Sequence, residues 1–108
     1  MPCYNVANWV ALNIQLTKQQ SYSNFECHII NDGSTDNTEK IISENIKGDS
    51  RFFYYKNDTN TGSSLYSYYT TFYKINPNDQ DIVIWLDGDD WFSSVFVLQY
   101  LDQYYNFT

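Results

Sequence analysis

The sequence predicts a three-layer α/β/α fold built around a mainly parallel sheet. Helical and strand patterns alternate along the chain, the most apolar strand candidate has no polar alternate positions, and a polar loop follows each strand candidate. Parallel strands need crossover connections, so this alternation is typical of a parallel sheet covered by helices. No internal repeat occurs, and we expect residues 1–108 to form one domain.

The composition favours a folded, acidic protein. The 108 residues include 6 Lys and Arg against 13 Asp and Glu, a net charge of −7, and 43% of them are hydrophobic. Nucleic acids are bound through clustered Lys and Arg, so the charge argues against a nucleic-acid partner. No apolar run approaches the roughly 20 residues of a membrane span, and residues 1–20 lack a signal-peptide pattern. We therefore expect a cytoplasmic protein without a membrane segment.

The first half of the chain predicts a helix, a strand and a second helix. Residues 6–19 carry apolar side chains at helical spacing. The predicted buried face of this first helix consists of Val6, Trp9, Val10, Leu12 and Leu16. Residues 25–30 are typical of a mostly buried strand. Ser34, Thr35 or Asp36 can cap the start of the next helix, with Glu39 three residues after Asp36, and Gly48 ends that helix.

The second half repeats the alternation. Residues 51–56 are a strand candidate, and a helix follows with a predicted core face of Leu65, Tyr68, Tyr69 and Phe72. Residues 82–86 are continuously apolar, as expected of a strand covered on both faces. The apolar side of the last predicted helix consists of Val95, Val97, Leu98, Leu101 and Tyr105. Residues 1–3 look like the tail of a first strand whose body is absent from this chain.

Three carboxylates follow the most apolar strand candidate directly, at Asp87, Asp89 and Asp90. Ligands of open parallel sheets bind beyond the carboxyl ends of the strands. Clustered carboxylates repel one another unless they share a cation, and oxygen ligands suit Mg²⁺ or Mn²⁺. Such an ion keeps positions open for phosphates, so the pattern favours a ligand that carries a diphosphate. The alternative is a solvated acidic turn.

Two further loops place polar groups at the same predicted edge, around Tyr4 and around Asp32. A carboxylate at Asp32 could accept a hydrogen bond from a ring N–H of a base, and Tyr4 could stack on the base. Gly33 permits a tight turn between strand and helix. The alternative for residues 32–34 is simply a loop that caps the next helix.

Five motifs occur in order along the chain: Pro2-Cys3-Tyr4-Asn5, Gln20–Glu26, Asn31–Thr38, Asn60-Thr61-Gly62 and Trp85–Asp90. Together they resemble the family 2 glycosyltransferases with the GT-A fold. The resemblance covers nearly the whole chain. It implies that residues 1–108 are a partial GT-A domain that binds a nucleotide-diphospho-sugar, most often a UDP-sugar.

The resemblance also implies roles for individual residues. Tyr4 matches the residue near the uracil ring, and Asp32 matches the carboxylate that reads the base edge. Asp87 and Asp89 match the DxD pair that holds a Mn²⁺ or Mg²⁺ ion and the donor diphosphate, with Asp90 as a further metal or sugar contact. The other implied donor contacts are Pro2, Asn5, Gly33 and Gly88. The metal would neutralise charge on the departing nucleoside diphosphate.

The chain departs from the family pattern in two places. Family members commonly carry an Arg-Asn pair after the Asn-x-Gly turn, whereas residues 63–68 contain no basic residue. In the family, the acceptor-binding half and the general base lie well beyond the DxD, and 18 residues follow Asp90 here. We therefore assign no catalytic residue within this chain, and the acceptor stays unknown.

Three functions compete. The resemblance favours a glycosyltransferase that uses a nucleotide-diphospho-sugar. The missing base motivates a second hypothesis, a nucleotide-sugar-binding module or relic without turnover. A DxD-nucleophile phosphatase is the third, although such enzymes place the motif near the start of their core and need long downstream segments.

Several residues are predicted to be structural. His28 has no second His or Cys at ligand spacing, so we interpret it as a structural histidine. Trp91 and Phe92 are predicted to pack against the last helix, with a place beside the sugar pocket as the alternative.

Overall fold

The structure is a computed structural model that describes residues 1–106. Its elements are β1 (Pro2–Cys3), α1 (Val10–Lys18), β2 (Cys27–Asp32), α2 (Thr38–Ile46), β3 (Phe52–Asn57), α3 (Ser64–Ile75) and α4 (Val97–Asn106). In this part of the chain no helix combines the length and apolarity needed to cross a bilayer.

The three strands form one parallel sheet in the order β1-β2-β3. Cys3 lies opposite Asn31, and Asp32 lies opposite Asn57, so the carboxyl ends of the strands meet at one edge. Successive side chains of a strand point to opposite faces. On one face of the sheet, Ile29 packs with residues of α1 and α2. Helix α3 contacts β1 and β2. The predicted α/β class, with a parallel sheet between helical layers, is confirmed.

The core lies between the sheet and the pair α1 and α2. Its buried members are Cys3, Val6, Val10, Ile14, Ile29, Ile42 and Phe52. Full burial of an aliphatic side chain contributes roughly 1.5–3 kcal/mol, so this cluster supplies much of the stability of the fold. Cys3 of β1 and Val6, which precedes α1, both belong to this cluster, so the core fixes the chain on either side of the loop after β1.

The buried face of α1 differs from the prediction. Trp9 and Leu12 are 48% and 46% exposed, whereas the polar Asn13 and Thr17 are buried beside Val10. These polar side chains are buried without a large penalty because both are hydrogen-bonded. The Thr17 hydroxyl donates to the Asn13 carbonyl, and the Asn13 side-chain amide donates to the Asp87 carbonyl. The predicted burial of Trp9 and Leu12 was therefore wrong.

The predicted strand at residues 82–86 is also wrong. The segment has no regular secondary structure and pairs with no strand among the described residues, and Ile82–Trp85 are 38–47% exposed. Just after it, the Gly88 N–H donates to the Pro2 carbonyl at 2.9 Å. In the part of the chain that the structure describes, β1 comprises only Pro2–Cys3, and no strand lies beside the residues before Gly88.

Helix α3 buries a different face from the one predicted. Leu65, Tyr69 and Phe72 are 63%, 57% and 37% exposed, and the buried side chains are the small Ser67 and Thr71. Small residues allow the helix to approach the sheet closely, and the Ser67 hydroxyl lies 3.3 Å from the Asn57 amide. The aromatic side of α3 is left facing outward.

The last helix is partly as predicted. Leu98 is buried, and its N–H donates a hydrogen bond of 3.1 Å to Gln20 Oε1. Val95 precedes the helix and is 38% exposed, and Tyr105 is 56% exposed, so neither is a core residue. Gln20 thus fixes α4 to the end of α1.

The start of helix α2 differs from the prediction, because its N-cap is Asn37, whose side chain makes no capping hydrogen bond. The Asp36 carboxylate accepts from the Thr38 N–H at 3.0 Å. Glu39 forms an ion pair with Lys56 at 2.9 Å and does not complete a capping box. Gly48, with φ +83°, follows the helix end. His28 packs on Phe53 with 4.7 Å between ring centroids, as expected of a structural histidine.

Candidate functional site

Three loops meet at the carboxyl edge of the sheet. The Gly88 N–H donates to Pro2 O at 2.9 Å, which joins the loop Asp87–Asp90, called the acid loop below, to β1. Asn5 joins the end of β1 to the loop after β2: its N–H donates to Ser34 Oγ at 3.0 Å, and its Oδ1 accepts from the Thr35 N–H at 2.8 Å. The predicted nucleotide and metal segments are therefore neighbours.

The backbone turns sharply after β1. Asn5 has φ +51°, a left-handed conformation that Asn tolerates better than most residues. Its hydrogen bonds to the next loop hold it there. Tyr4, immediately before it, is 48% exposed, so its ring is accessible at the edge of the sheet.

Asp32 closes β2 and is only 4% exposed. Its Oδ1 accepts from Asn57 Nδ2 at 2.8 Å and from the Thr61 N–H at 3.1 Å, and its Oδ2 accepts from Thr61 Oγ1 at 2.8 Å. Burial alone would raise the pKa of Asp32, but the hydrogen bonds from Asn57 and Thr61 outweigh it and lower the pKa below 3.8. The carboxylate therefore stays charged and ties β2 to β3 and the following turn.

Gly33 is required by its surroundings. Its φ is +68°, and a Cβ there would lie 2.3 Å from the backbone N of Asn60. Asn60 Nδ2 in turn donates to the Asp32 carbonyl at 3.1 Å. The Asn-x-Gly turn is thus packed directly on the loop after β2.

Hydrogen bonds to its backbone hold the acid loop in place. Asn13, which is fully buried, donates from Nδ2 to the Asp87 carbonyl at 2.9 Å. The Asp90 N–H donates to the same carbonyl at 3.0 Å. Gly88 is buried, and a Cβ there would lie 2.5 Å from Cys3 Sγ. The position of this loop therefore depends on α1 and β1.

The three carboxylates converge at the surface. One ligand oxygen each from Asp87, Asp89 and Asp90 lies within 4.8 Å of the others. Oxygen ligands about 2.0–2.1 Å from Mg²⁺ lie up to ~4.2 Å apart, so a small inward movement would bring these oxygens to a hard divalent ion. Burial raises the pKa of nearby Cys3 to about 12, so this thiol stays neutral and the donor set consists of oxygens. The residues present fit Mn²⁺ or Mg²⁺.

Trp91 does not pack as predicted. Its ring stacks on Trp9, at the start of α1, with 6.5 Å between centroids, and it remains 44% exposed. The chain then passes along α1, because Gln20 Nε2 donates to the Ser94 carbonyl at 2.8 Å beyond the end of that helix. Trp91 is thereby drawn to α1 rather than to α4. Phe92 is half-buried.

A cavity lies elsewhere in the structure. It has a volume of about 680 Å³ and is lined by the start of β2, the aromatic side of α3 and residues 82–86. None of the predicted site residues lines it. The candidate site is instead an open surface at the opposite end of the strands.

Four residues contribute to the site and were not predicted to do so. Asn13 and Trp85 bond to Asp87, and Asn57 and Thr61 bond to Asp32. For Trp85 a signal was present, since it lies two residues before Asp87 in the predicted strand and would share its face. Asn57 follows the predicted strand 51–56 directly, as Asn31 and Asp32 follow the predicted strand 25–30, which was a second signal. Asn13 gave no signal apart from its helical spacing.

The chain is similar in sequence to known glycosyltransferases. An uncharacterised glycosyltransferase of Rickettsia typhi is 34% identical over 90 residues, 83% of this chain and 26% of that protein. Glycosyltransferase GlyA of Streptococcus pneumoniae serotype 4 is 31% identical over 97 residues, 90% of this chain and 13% of that protein. The chain thus spans about a quarter or less of the length of these relatives.

Solved structures show the same fold. S. aureus TarS matches with a TM-score of 0.84 at 19% identity, over 97% of this chain and 18% of the TarS chain. A structure of TarS 1–349 in complex with UDP matches with the same score, over 97% of this chain and 30% of that one. The GT-A fold predicted from the motifs is thereby confirmed.

The family follows from a match that covers almost the entire chain. The family model described as glycosyl transferase family 2 matches residues 1–105. This chain belongs to glycosyl transferase family 2.

Proposed function

We propose that this chain forms the donor-binding part of a glycosyltransferase that transfers a sugar from a UDP-sugar to an acceptor. The observation that carries the proposal is the junction of the acid loop with β1 through the Gly88–Pro2 hydrogen bond, beside the Asp32 loop. A base-binding group, a diphosphate-binding edge and a cluster of oxygen ligands then lie side by side. The UDP complex of TarS, a protein of the same fold, supports the choice of nucleotide.

The acid loop would hold the cation. We assign Asp87, Asp89 and Asp90 as ligands of Mn²⁺ or Mg²⁺, because their oxygens lie within 4.8 Å of one another and provide a hard donor set. When bound, such an ion stabilises negative charge on the departing nucleoside diphosphate. The protein's own contribution is to keep the three carboxylates together against their mutual repulsion, which the Asn13 and Gly88 backbone contacts do.

Asp32 and Tyr4 would bind the base. Asn57 and Thr61 donate to the Asp32 carboxylate at 2.8–3.1 Å, and the Thr61 N–H is also shared with Oδ2 at 3.3 Å. A ring N–H would take the place of this longest contact on Oδ2. The exposed ring of Tyr4 offers a face for stacking. Pro2, Asn5 and Gly33 would shape the backbone around the nucleotide, since they connect the three loops.

We infer a cytoplasmic setting for this function. The two cysteines, Cys3 and Cys27, are free, and burial raises their pKa values to about 12 and about 11. Buried thiols of this kind are inert structural residues and are usual in reducing compartments.

Calorimetric titration of the 108-residue chain with UDP tests the proposal. We expect binding with a dissociation constant of millimolar or below in the presence of Mn²⁺, and at least a tenfold loss when the metal is chelated. The double variant Asp87→Asn/Asp89→Asn should lose the metal dependence, whereas Asp79→Asn, at an exposed position outside the acid loop, should not change binding. Equal UDP binding with and without metal would refute the role of the acid loop.

A binding module without turnover is the second candidate for this chain by itself. After Asp90 the described residues contain one carboxylate, Asp102, which bonds Asn106 within α4 at 2.6 Å. That side chain lines the large cavity and not the acid loop, so it is a poor general base for the site. UDP binding without donor hydrolysis or transfer would favour the module, and release of UDP from a UDP-sugar would reject it.

A further inference from the structure

Trp85 is hydrogen-bonded to the first carboxylate of the acid loop. Its indole N–H donates to Asp87 Oδ1 at 2.6 Å. Trp85 lies two residues before Asp87, so its indole reaches the carboxylate across a single intervening residue. The indole nitrogen is a donor only, so this contact cannot reverse its direction when the charge environment changes.

The indole is itself supported by helix α3. The Trp85 ring stacks on Tyr68 with 4.5 Å between centroids and an interplanar angle of 25°. Tyr68 in turn contacts Phe72, one turn further along the same helix, at 5.9 Å. Trp85 is 38% exposed, but one face of its ring is covered by Tyr68, and Phe72 supports Tyr68 from behind. The contact provides a physical link between α3 and the acid loop.

Asp87 is held at two points, unlike the other two carboxylates. The Asn13 amide holds its carbonyl, and Trp85 holds its carboxylate. Within residues 1–106 the side chains of Asp89 and Asp90 make neither a hydrogen bond nor an ion pair. The Asp87 carboxylate is therefore already oriented, whereas the side chains of Asp89 and Asp90 can rotate towards an ion bound by Asp87.

The geometry points to Trp85 as a positioning residue that orients the Asp87 carboxylate for a divalent cation, with Tyr68 supporting the indole. This inference rests on the proposed function, because it needs the acid loop to bind Mn²⁺ or Mg²⁺. The indole occupies one oxygen of Asp87 and leaves the other oxygen for the ion. Partners of metal ligands typically change metal affinity by 10–100-fold when they are removed.

The test compares two identical substitutions at neighbouring tryptophans. Trp85→Phe keeps an aromatic ring for Tyr68 but removes the N–H donor. Trp91→Phe is the matched control, because the Trp91 indole stacks on Trp9 and donates no hydrogen bond within residues 1–106. Mn²⁺ is titrated into each variant of the 108-residue chain and followed by electron paramagnetic resonance of the free ion. We expect Trp85→Phe to raise the Mn²⁺ dissociation constant about tenfold and Trp91→Phe to change it less than twofold.

A spectroscopic readout separates positioning from a general loss of structure. In ¹⁵N–¹H spectra of the wild type, the Trp85 indole signal should shift on addition of Mg²⁺ and also in Asp87→Asn, whereas the Trp91 indole signal should move less in both. If Trp85→Phe does not fold, Tyr68→Leu, which removes the support but keeps the donor, replaces it. That variant should weaken Mn²⁺ binding and reduce the Mg²⁺-induced shift of the Trp85 signal.

The outcomes distinguish the two proposals. A wild-type chain that binds no Mn²⁺ overturns the cation site and the role of Trp85 together. A wild type that binds Mn²⁺, with equal or tighter binding in Trp85→Phe, overturns only the role of Trp85 and leaves the cation site standing. A Trp85 indole signal that is insensitive to both Mg²⁺ and Asp87→Asn also overturns it.

Discussion

The buried side chain of Asn13 donates a hydrogen bond of 2.9 Å to the backbone carbonyl of Asp87. The two residues are 74 positions apart, so this bond joins the first helix to the last polar loop of the candidate site. It explains why a polar side chain is fully buried in α1. It also makes the position of the acid loop depend on the core.

Replacing Asn13 should therefore loosen the acid loop. In Asn13→Leu the Asp87 carbonyl keeps only the Asp90 N–H, and we expect a loss of about 1–2 kcal/mol in the free energy of unfolding. Gln19→Leu, at the exposed residue that follows the same helix, is the control and should cost less than about 0.5 kcal/mol. Urea denaturation measures both values, and equal losses in the two variants would contradict the account.

Gly88 is expected to tolerate no side chain while Cys3 is present. The Cβ of Gly88→Ala would lie 2.5 Å from Cys3 Sγ and 3.2 Å from the Pro2 carbonyl. Overpacking of a buried site costs typically 1–3 kcal/mol, and we expect a loss in this range.

The cause of that loss can be checked with a double-mutant cycle. Cys3→Ala removes the sulfur atom, so Gly88→Ala should cost much less in that background than in the wild type. Thermal and urea unfolding of the four proteins give the coupling energy. Strict additivity would show that the sulfur contact is not what excludes a side chain at Gly88.

Gly33→Ala should be more damaging and should have no side-chain rescue. The Cβ would lie 2.3 Å from a backbone nitrogen, at Asn60, and the φ of +68° is itself unfavourable for alanine. We expect a loss of stability larger than that of Gly48→Ala, because Gly48 has a similar φ but open space around it. Unfolding midpoints of the two variants that agree within error would contradict this.

Asp32 should contribute stability that depends on pH in a defined direction. Its pKa in the folded protein is lowered below 3.8, the ordinary value expected in the unfolded chain. The contribution is therefore complete above about pH 4 and is lost as the pH falls through the folded pKa. We expect Asp32→Asn to cost about 2 kcal/mol at pH 7, through the weakened bonds from Asn57 and Thr61.

The difference between wild type and Asp32→Asn should narrow below pH 4. Urea denaturation at pH 7, 5, 4 and 3 measures it. Asp58→Asn, at an exposed position, is the control and should run parallel to the wild type. A difference that grows towards low pH would show that the Asp32 carboxylate is not stabilised in its charged form.

Most of the secondary structure could be predicted because it depends on local pattern. The strands β2 and β3 lie within two residues of their predicted bounds, and Gly48 follows α2 as expected. The failure at residues 82–86 is instructive, because a continuous apolar run reports a preference for burial but not the presence of a neighbouring strand. Only two residues of β1 are available beside it, so the segment remains unpaired.

The buried faces of the helices were harder to predict, because a prediction from apolar spacing counts only apolar residues as core residues. The buried face of α1 is Val10, Asn13, Ile14 and Thr17, which has the spacing of a helix face but mixed polarity. On α3 the buried Ser67 and Thr71 are again polar and small. In both helices a hydrogen bond to a distant loop or strand replaces the apolar contact, and a single sequence does not reveal the distant partner.

The candidate site was predictable to the extent that its groups follow strand ends. Tyr4, Asp32 and the acid loop were expected at one edge, and the structure brings their loops together there. The bonds that fix them, from Asn13, Asn57 and Trp85, depend on the tertiary arrangement. The identity of the bound nucleotide and cation stays a prediction.

¹H–¹⁵N chemical-shift mapping of UDP on the chain in the presence of Mg²⁺ locates the bound nucleotide. We expect the shifted amides to cluster in the three loops that carry Tyr4, Gly33 and Gly88, and we expect omission of Mg²⁺ to abolish the shifts in the acid loop. Shifts confined to the cavity between α3 and residues 82–86, or none at Gly88, would contradict this expectation.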